Sequence, residues 1–94
     1  MTFNNFLELI KNLNQDTNFY LLINDQKKPL SKITVAHDEF LAHPGHRSMS
    51  KKQIINLFGQ MDNRNLTLWI YFQNKRIPVY GLQISNKESF ATLM

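Results

Sequence analysis

Apolar residues near the N-terminus recur at intervals of three and four positions. They are Phe3, Phe6, Leu7, Ile10 and Leu13. This spacing places them on one face of a helix. Thr2 stands directly before them, and its hydroxyl can accept a hydrogen bond from a free backbone N–H at a helix start. The pattern predicts an amphipathic helix that begins after Thr2 and ends near Asn14.

Three short apolar segments follow this helix. The run "FYLLIN" at 19–24 is aromatic and partly β-branched, which is typical of a strand, and it stops at the turn-forming Asp25. "DQKK" at 25–28 predicts a loop, and Pro29 can open a second strand over 30–36 without losing a ladder hydrogen bond. "HD" at 37–38 predicts another turn, and "EFLA" at 39–42 predicts a third strand. The first half therefore contains one helix and three strands.

The second half repeats this order. Ser50 can cap a helix whose apolar stripe is Ile54, Ile55, Leu57, Phe58 and Met61. "NLTLWIYF" at 65–72 then aligns with "NFYLLI" at 18–23, and after short insertions Pro78 aligns with Pro29 and "NKESFATLM" with "HDEFLAH". Either an internal duplication or the sequence pattern that any helix followed by a hairpin requires explains the similarity of the two halves. Both explanations predict the same shape.

One helix on a three-stranded meander can cover only part of a hydrophobic core. We therefore expect an α+β fold in which two helix-plus-antiparallel-meander units (αβββ-αβββ) pack with pseudo-twofold symmetry. The chain 1–94 is predicted to be a single domain, with the first αβββ unit at 2–42, a connector at 43–50 and the second unit at 51–94. The connector "HPGHRSMS" contains Pro44 and Gly45, which interrupt regular structure. The pattern leaves open whether the six strands form one sheet or two.

The unit "FLELIKNLNQDTNFYLLINDQKKPLSKITV" combines a leucine-rich helix, an Asp-Thr turn, an apolar strand and a proline that opens the returning strand. In this it resembles small phage- and mobile-element-type bacterial proteins, whose pattern is "ELL..L..D..V.......YPI..V". The resemblance covers most of each half, although the second half departs from it in the aromatic strand "LWIYF". It implies a helix-plus-meander fold and assigns no functional residue.

Composition narrows the setting of the protein. With 94 residues and no cysteine, the chain is small and can form neither disulfides nor thiolate metal sites. The start "MTFNNFLELIKNLNQD" lacks the pattern of a signal peptide, and no stretch approaches the roughly 18 apolar residues of a membrane span. We therefore expect a soluble, cytoplasmic protein.

The net charge of +4 is unevenly distributed. Acidic and basic residues cancel over 1–49, so the whole excess lies in the second half. Such a bias can mark a surface for an anionic partner, but a modest positive balance also serves solubility.

No set of residues predicts catalysis. His37, His43 and His46, with Asp38 and Glu39, are the residues of metal-ligating type that lie close together, but the connector gives them no reason to converge. Asp38 and Glu39 are adjacent, so on an extended segment they point to opposite faces. The three glycines are too scattered for a phosphate-binding loop. We expect a protein that is not an enzyme and that uses no cofactor or metal.

The aromatic strand over 66–72 carries the functional prediction. Period-two alternation sends Trp69 and Tyr71 to the face opposite the helices. The same alternation places Tyr20 and Val79 on this outer face, and Lys75 and Arg76 flank it at the hairpin tip. The candidate interaction surface therefore comprises Tyr20, Trp69, Tyr71, Lys75, Arg76 and Val79. Ring-to-ring packing favours a protein partner or a homodimer, and hence a non-enzymatic interaction or scaffold module. The alternative is a single-stranded nucleic-acid-binding accessory protein, in which rings stack on bases and cations, Lys51 and Lys52 included, hold phosphates.

Overall fold

The structure, a computed structural model, describes residues 1–61, 65–85 and 87–94. It contains two helices, α1 (Phe3–Ile10) and α2 (Lys51–Phe58). The strands are β1 (Asn18–Ile23), β2 (Gln26–Ala36), β3 (Glu39–Pro44), β4 (Thr67–Phe72), β5 (Lys75–Pro78), β6 (Leu82–Ser85) and β7 (Phe90–Leu93). Among the described residues, neither helix has the length and apolar character needed to cross a bilayer.

The predicted α+β fold of two αβββ units is wrong. The chain is mostly β and forms one mixed, curled sheet of seven strands in the order β5-β4-β3-β2-β1-β7-β6, a half-barrel accompanied by two short helices. Two parallel pairings, β3 with β4 and β1 with β7, join strands from opposite halves of the sequence. The halves therefore do not form separate meanders.

The predicted helix starts are confirmed. In α1 the Oγ1 of Thr2 accepts a hydrogen bond from the backbone N–H of Asn5 at 3.1 Å. In α2 the Oγ of Ser50 accepts from the backbone N–H of Gln53, whose side chain accepts from the backbone N–H of Ser50 in return. This reciprocal capping box satisfies two N–H groups that a helix start would otherwise leave without a partner. Helix α1 ends earlier than predicted, at Ile10.

Two hairpins turn on pairs of residues with positive φ. Asn24 and Asp25 have φ of 52° and 64°, and Gln73 and Asn74 have φ of 52° and 62°. Two consecutive left-handed residues match the right-handed twist of the flanking strands, so they allow a two-residue connection. As a result "DQKK" is not a loop, because β2 begins at Gln26.

The connector predicted at 43–50 is shorter in the structure. His43 and Pro44 belong to β3, opposite β2. Met49 is buried, and its backbone N–H donates to Leu30 O while its carbonyl accepts from the N–H of Phe19. Strand pairing therefore extends into the segment that the Pro-Gly sequence marked as irregular.

Both helices pack on one face of the sheet, the inner face, which carries the buried residues of β1 and β4. The helical ring of Phe3 stacks on Phe40 of β3 at 4.2 Å between centroids, and Phe58 of α2 meets both rings edge-on. Residues from both halves form one core cluster. The opposite face of the sheet, the outer face, is the surface that the helices leave uncovered.

Candidate interaction surface

Strand register brings the aromatic residues of β4 together with side chains of β2 and β3 on the outer face. Leu41 lies opposite Thr34 on one side and Trp69 on the other. Leu41 is only 8% exposed although it alternates with the inward-facing Phe40 and Ala42. We call the set Thr34, Leu41, His43, Trp69 and Tyr71 the aromatic patch.

A histidine borders the rings of this patch. His43 Nε2 lies 2.8 Å from the Oγ1 of Thr34, and its ring packs on Tyr71 at 5.5 Å between centroids. Burial, together with the nearby positive charge of Lys32, lowers the pKa of His43 below its ordinary value of 6.5. The surroundings of His43 therefore favour its neutral imidazole over the cation.

An ion pair crosses the same face. The guanidinium of Arg76 on β5 donates three hydrogen bonds, at 2.6, 2.8 and 2.9 Å, to the carboxylate of Glu39 on β3. Since β4 lies between these strands, the pair bridges the outer side of β4. These hydrogen bonds are the largest cause that lowers the pKa of Glu39 and raises that of Arg76. The guanidinium also lies 5.6 Å from the Tyr71 ring centroid.

The predicted surface residues do not all meet. Trp69, Tyr71 and Arg76 form one neighbourhood, as predicted. Lys75 lies opposite Phe72, which packs against the core, so Lys75 stands at the inner side of the hairpin. Val79 is 2% exposed and belongs to the core, and its place in a surface set is therefore wrong.

Tyr20 belongs to a second cluster on the outer side of β1 and β7. Its ring meets Phe90 edge-on at 5.8 Å, and the Nζ of Lys27 lies 3.2 Å from the Phe90 centroid and 4.7 Å from that of Tyr20. Sequence reasoning missed Phe90 and Lys27. Alternation with the buried Ala91 indicates that Phe90 points outward. That Phe90 lies beside Tyr20 depends on the parallel pairing of β7 with β1, which the local sequence does not indicate.

Lys51 is not available to a partner. Its side chain is buried, at 6% residue exposure, and its Nζ donates to the carbonyls of Lys11 and Leu13 at 2.8 Å each. These carbonyls follow the end of α1, where backbone acceptors lack intrahelical donors. The neighbouring Lys52 is exposed. The cationic set of the nucleic-acid hypothesis therefore loses one member.

Within 1–61, 65–85 and 87–94, no group of three or more His, Asp or Glu side chains is arranged to hold a metal ion. His43 in particular is directed at Thr34 and Tyr71 on the sheet.

No family model, curated protein or solved structure matches this chain. The resemblance to phage- and mobile-element-type proteins stays a prediction. What the molecule can do is therefore inferred from the geometry of its own surface.

Proposed function

We propose that the protein is a non-enzymatic interaction module that binds a protein partner through the aromatic patch. The observation that carries the proposal is the Arg76–Glu39 ion pair beside Trp69 and Tyr71. The pair compensates the charge of the cation nearest to the rings. Apart from Lys32, whose charge lies beside His43, the patch therefore presents aromatic area among uncharged or paired polar groups.

This arrangement matches the chemistry of protein interfaces. Their centres are depleted of charged residues and enriched in Trp and Tyr, whose rigid rings bury much area at little entropic cost. Trp69 and Tyr71 are partly exposed on a strand that is paired on both sides, so their backbone is fixed before binding. A fixed surface loses little conformational freedom on association.

A single-stranded nucleic acid is the alternative partner, and it needs cations that can reach phosphates. Arg76 would have to leave three hydrogen bonds to Glu39 before it could contact a phosphate. Lys51 is buried under the end of α1. The arrangement of these two cations supports a protein partner.

A titration separates the two classes of partner. Isotope-labelled protein is mixed with a mixed-sequence single-stranded oligonucleotide at low and moderate salt, and the Trp69 indole signal is followed by NMR. We expect no salt-dependent shift at Trp69. Shifts of Trp69 and Tyr71 that weaken steeply with salt would contradict the proposal and favour phosphate contacts.

The protein partner is tested with matched aromatic variants. Proteins retained by the immobilised wild-type chain are identified and purified, and their affinities for Trp69→Ala and Tyr80→Ala are measured. Tyr80 is the control because its ring is 85% exposed but lies outside the aromatic patch. We expect Trp69→Ala to weaken binding by about 30-fold or more, as for a central interface residue. Equal binding by both variants would refute the assigned surface.

A further inference from the structure

The sheet ends in two strands of different chemistry. β5 and β6 stand at its two ends and are joined in the chain by residues 79–81. The backbone N–H groups of Tyr80 and Gly81 both donate to the carbonyl of Met94, which holds this junction against the end of β7. Within the part of the chain that the structure describes, each terminal strand therefore has one partner strand and one side without a strand.

β5 carries the features that commonly prevent edge-to-edge association. Its four residues include Lys75, Arg76 and Pro78. Charged side chains disfavour the approach of a second strand, and proline lacks the N–H that a new ladder would use.

β6 carries none of these features. Its sequence "LQIS" is uncharged and contains no proline. Among the described residues, its ladder of backbone hydrogen bonds runs to β7 alone. An uncharged strand with a row of unpaired backbone donors and acceptors is a template for pairing with another chain.

Apolar side chains accompany this edge on the inner side of the sheet. Ile84 lies opposite the inward-facing Ala91 but is 41% exposed. Leu9 of α1 is 48% exposed and lines, together with Tyr80 and Met1, a groove of about 550 Å³ beside the junction of β5 and β6. The lining of this groove is mainly apolar, although Asn5 and Glu8 also contribute to it.

We propose that β6 pairs antiparallel with β6 of a second copy and forms a homodimer with one continuous sheet. A twofold axis through Gln83 places Leu82 opposite Ile84 of the partner subunit, and Ile84 opposite Leu82 of the partner subunit, all on the same face. The edge is therefore complementary to itself: apolar residues meet apolar residues and no like charges meet. This dimer uses a different surface from the aromatic patch and goes beyond the proposed function.

The symmetry of such a continuous sheet also favours a second copy of the chain as the partner of β6. A twofold axis perpendicular to the sheet keeps both α1 helices on the same side of the continuous sheet. Because Gly81 and Met94 exchange backbone hydrogen bonds, the backbone groups of Leu82 and Ile84 face away from β7, and the new ladder would give these groups a partner in each copy. It would also cover the side chain of Ile84.

The test is the oligomeric state of the whole chain. Sedimentation velocity over a wide dilution range is expected to show a concentration-dependent dimer, and an NMR dilution series should shift the amides of residues 82–85. Ile84→Lys is expected to raise the dimer dissociation constant by about 100-fold or more, since it places a charge in the paired edge. Val35→Lys is the matched control, because Val35 on β2 is similarly exposed, at 45%, and lies outside this edge. It should dimerise as the wild type does.

Three results would overturn the proposed dimer: a wild-type chain that is monomeric at every concentration, an Ile84→Lys chain that dimerises normally, or dilution shifts centred on Trp69. The NMR series uses the wild-type protein and so remains decisive if a variant does not fold. Trp69→Ala should leave the dimer intact. A loss of partner binding with an intact dimer, or the reverse, therefore distinguishes the failure of one proposal from the failure of the other.

Discussion

Replacing Lys51 by methionine tests whether the hydrogen bonds from its buried ammonium group, which join α2 to the end of α1, stabilise the fold. Lys51 Nζ donates to the carbonyls of Lys11 and Leu13 at 2.8 Å, so one charge satisfies two acceptors that follow α1. A positive charge at this position also complements the negative end of the helix dipole. Methionine has a similar length and apolar character but provides no donor. We expect Lys51→Met to fold and to be less stable.

The magnitude follows from the hydrogen bonds and from desolvation. Each hydrogen bond to a charged group contributes about 1.5–3 kcal/mol, so the two together set an upper limit of about 3–6 kcal/mol. The wild-type ammonium is desolvated at 6% residue exposure, and methionine removes that cost. Water can also reach the two carbonyls in part, because their environment is only partly buried. We therefore expect a net loss of about 2–3 kcal/mol in the free energy of unfolding, a substantial part of the roughly 5–15 kcal/mol typical of a folded domain.

Urea unfolding monitored by the fluorescence of Trp69 measures this change. Lys52→Met is the control, because Lys52 is the next residue of the same helix and its side chain is exposed. With a urea m-value of about 1–1.5 kcal/mol/M, Lys51→Met should lower the midpoint by about 2 M. The control should change it little. Equal midpoints for the two variants would refute the assigned role of Lys51.

Three further predictions concern titration and turn geometry. Hydrogen bonding to Arg76 lowers the pKa of Glu39, so this carboxylate stabilises the fold above its ordinary pKa of 4.5, and the stabilisation is lost as pH falls through the lowered pKa. Arg76→Met should therefore reduce the loss of stability at acidic pH, which urea unfolding at several pH values measures. The pKa of His43 is lowered from 6.5, so its contribution to the free energy of unfolding is present above pH 6.5 and is lost as pH falls through the folded-state pKa. His43→Gln should therefore reduce the difference in stability between about pH 8 and about pH 5. An unchanged difference would contradict the burial of the imidazole. Asp25 has φ of 64°, so Asp25→Gly should raise stability by up to about 1 kcal/mol, whereas a lower urea midpoint would contradict the turn geometry.

Local signals predicted local structure. The caps at Thr2 and Ser50 depend on side chains within three residues of the helix start, and both are present. The strand predicted at 39–42 and the apolar run "FATL" likewise follow turns, and the structure contains β3 (Glu39–Pro44) and β7 (Phe90–Leu93) at these places. Each of these elements is determined by residues close to one another in the chain.

Strand pairing was not visible in the same way. The parallel contacts of β3 with β4 and of β1 with β7 join segments that are far apart in sequence, and both pairs are buried on the inner face. A buried strand shows the same apolar alternation whichever neighbour it pairs with. An αβββ pattern in each half therefore suggested separate meanders, while the parallel pairs merged them into one curled sheet. The segment of the second half that aligns with β2 is divided into two strands, β5 and β6, by residues 79–81, where Val79 enters the core.

The same distinction explains the candidate surface. Alternation along β4 placed Trp69 and Tyr71 correctly, because it is a property of one strand. Whether Arg76 is a free cation depends on Glu39, which lies 37 positions earlier and two strands away in the sheet. Counting basic residues in the sequence therefore overestimates the charge that a ligand meets. Here Arg76 is paired with Glu39, and Lys51, which the composition also counts as a cation, is buried under the end of α1.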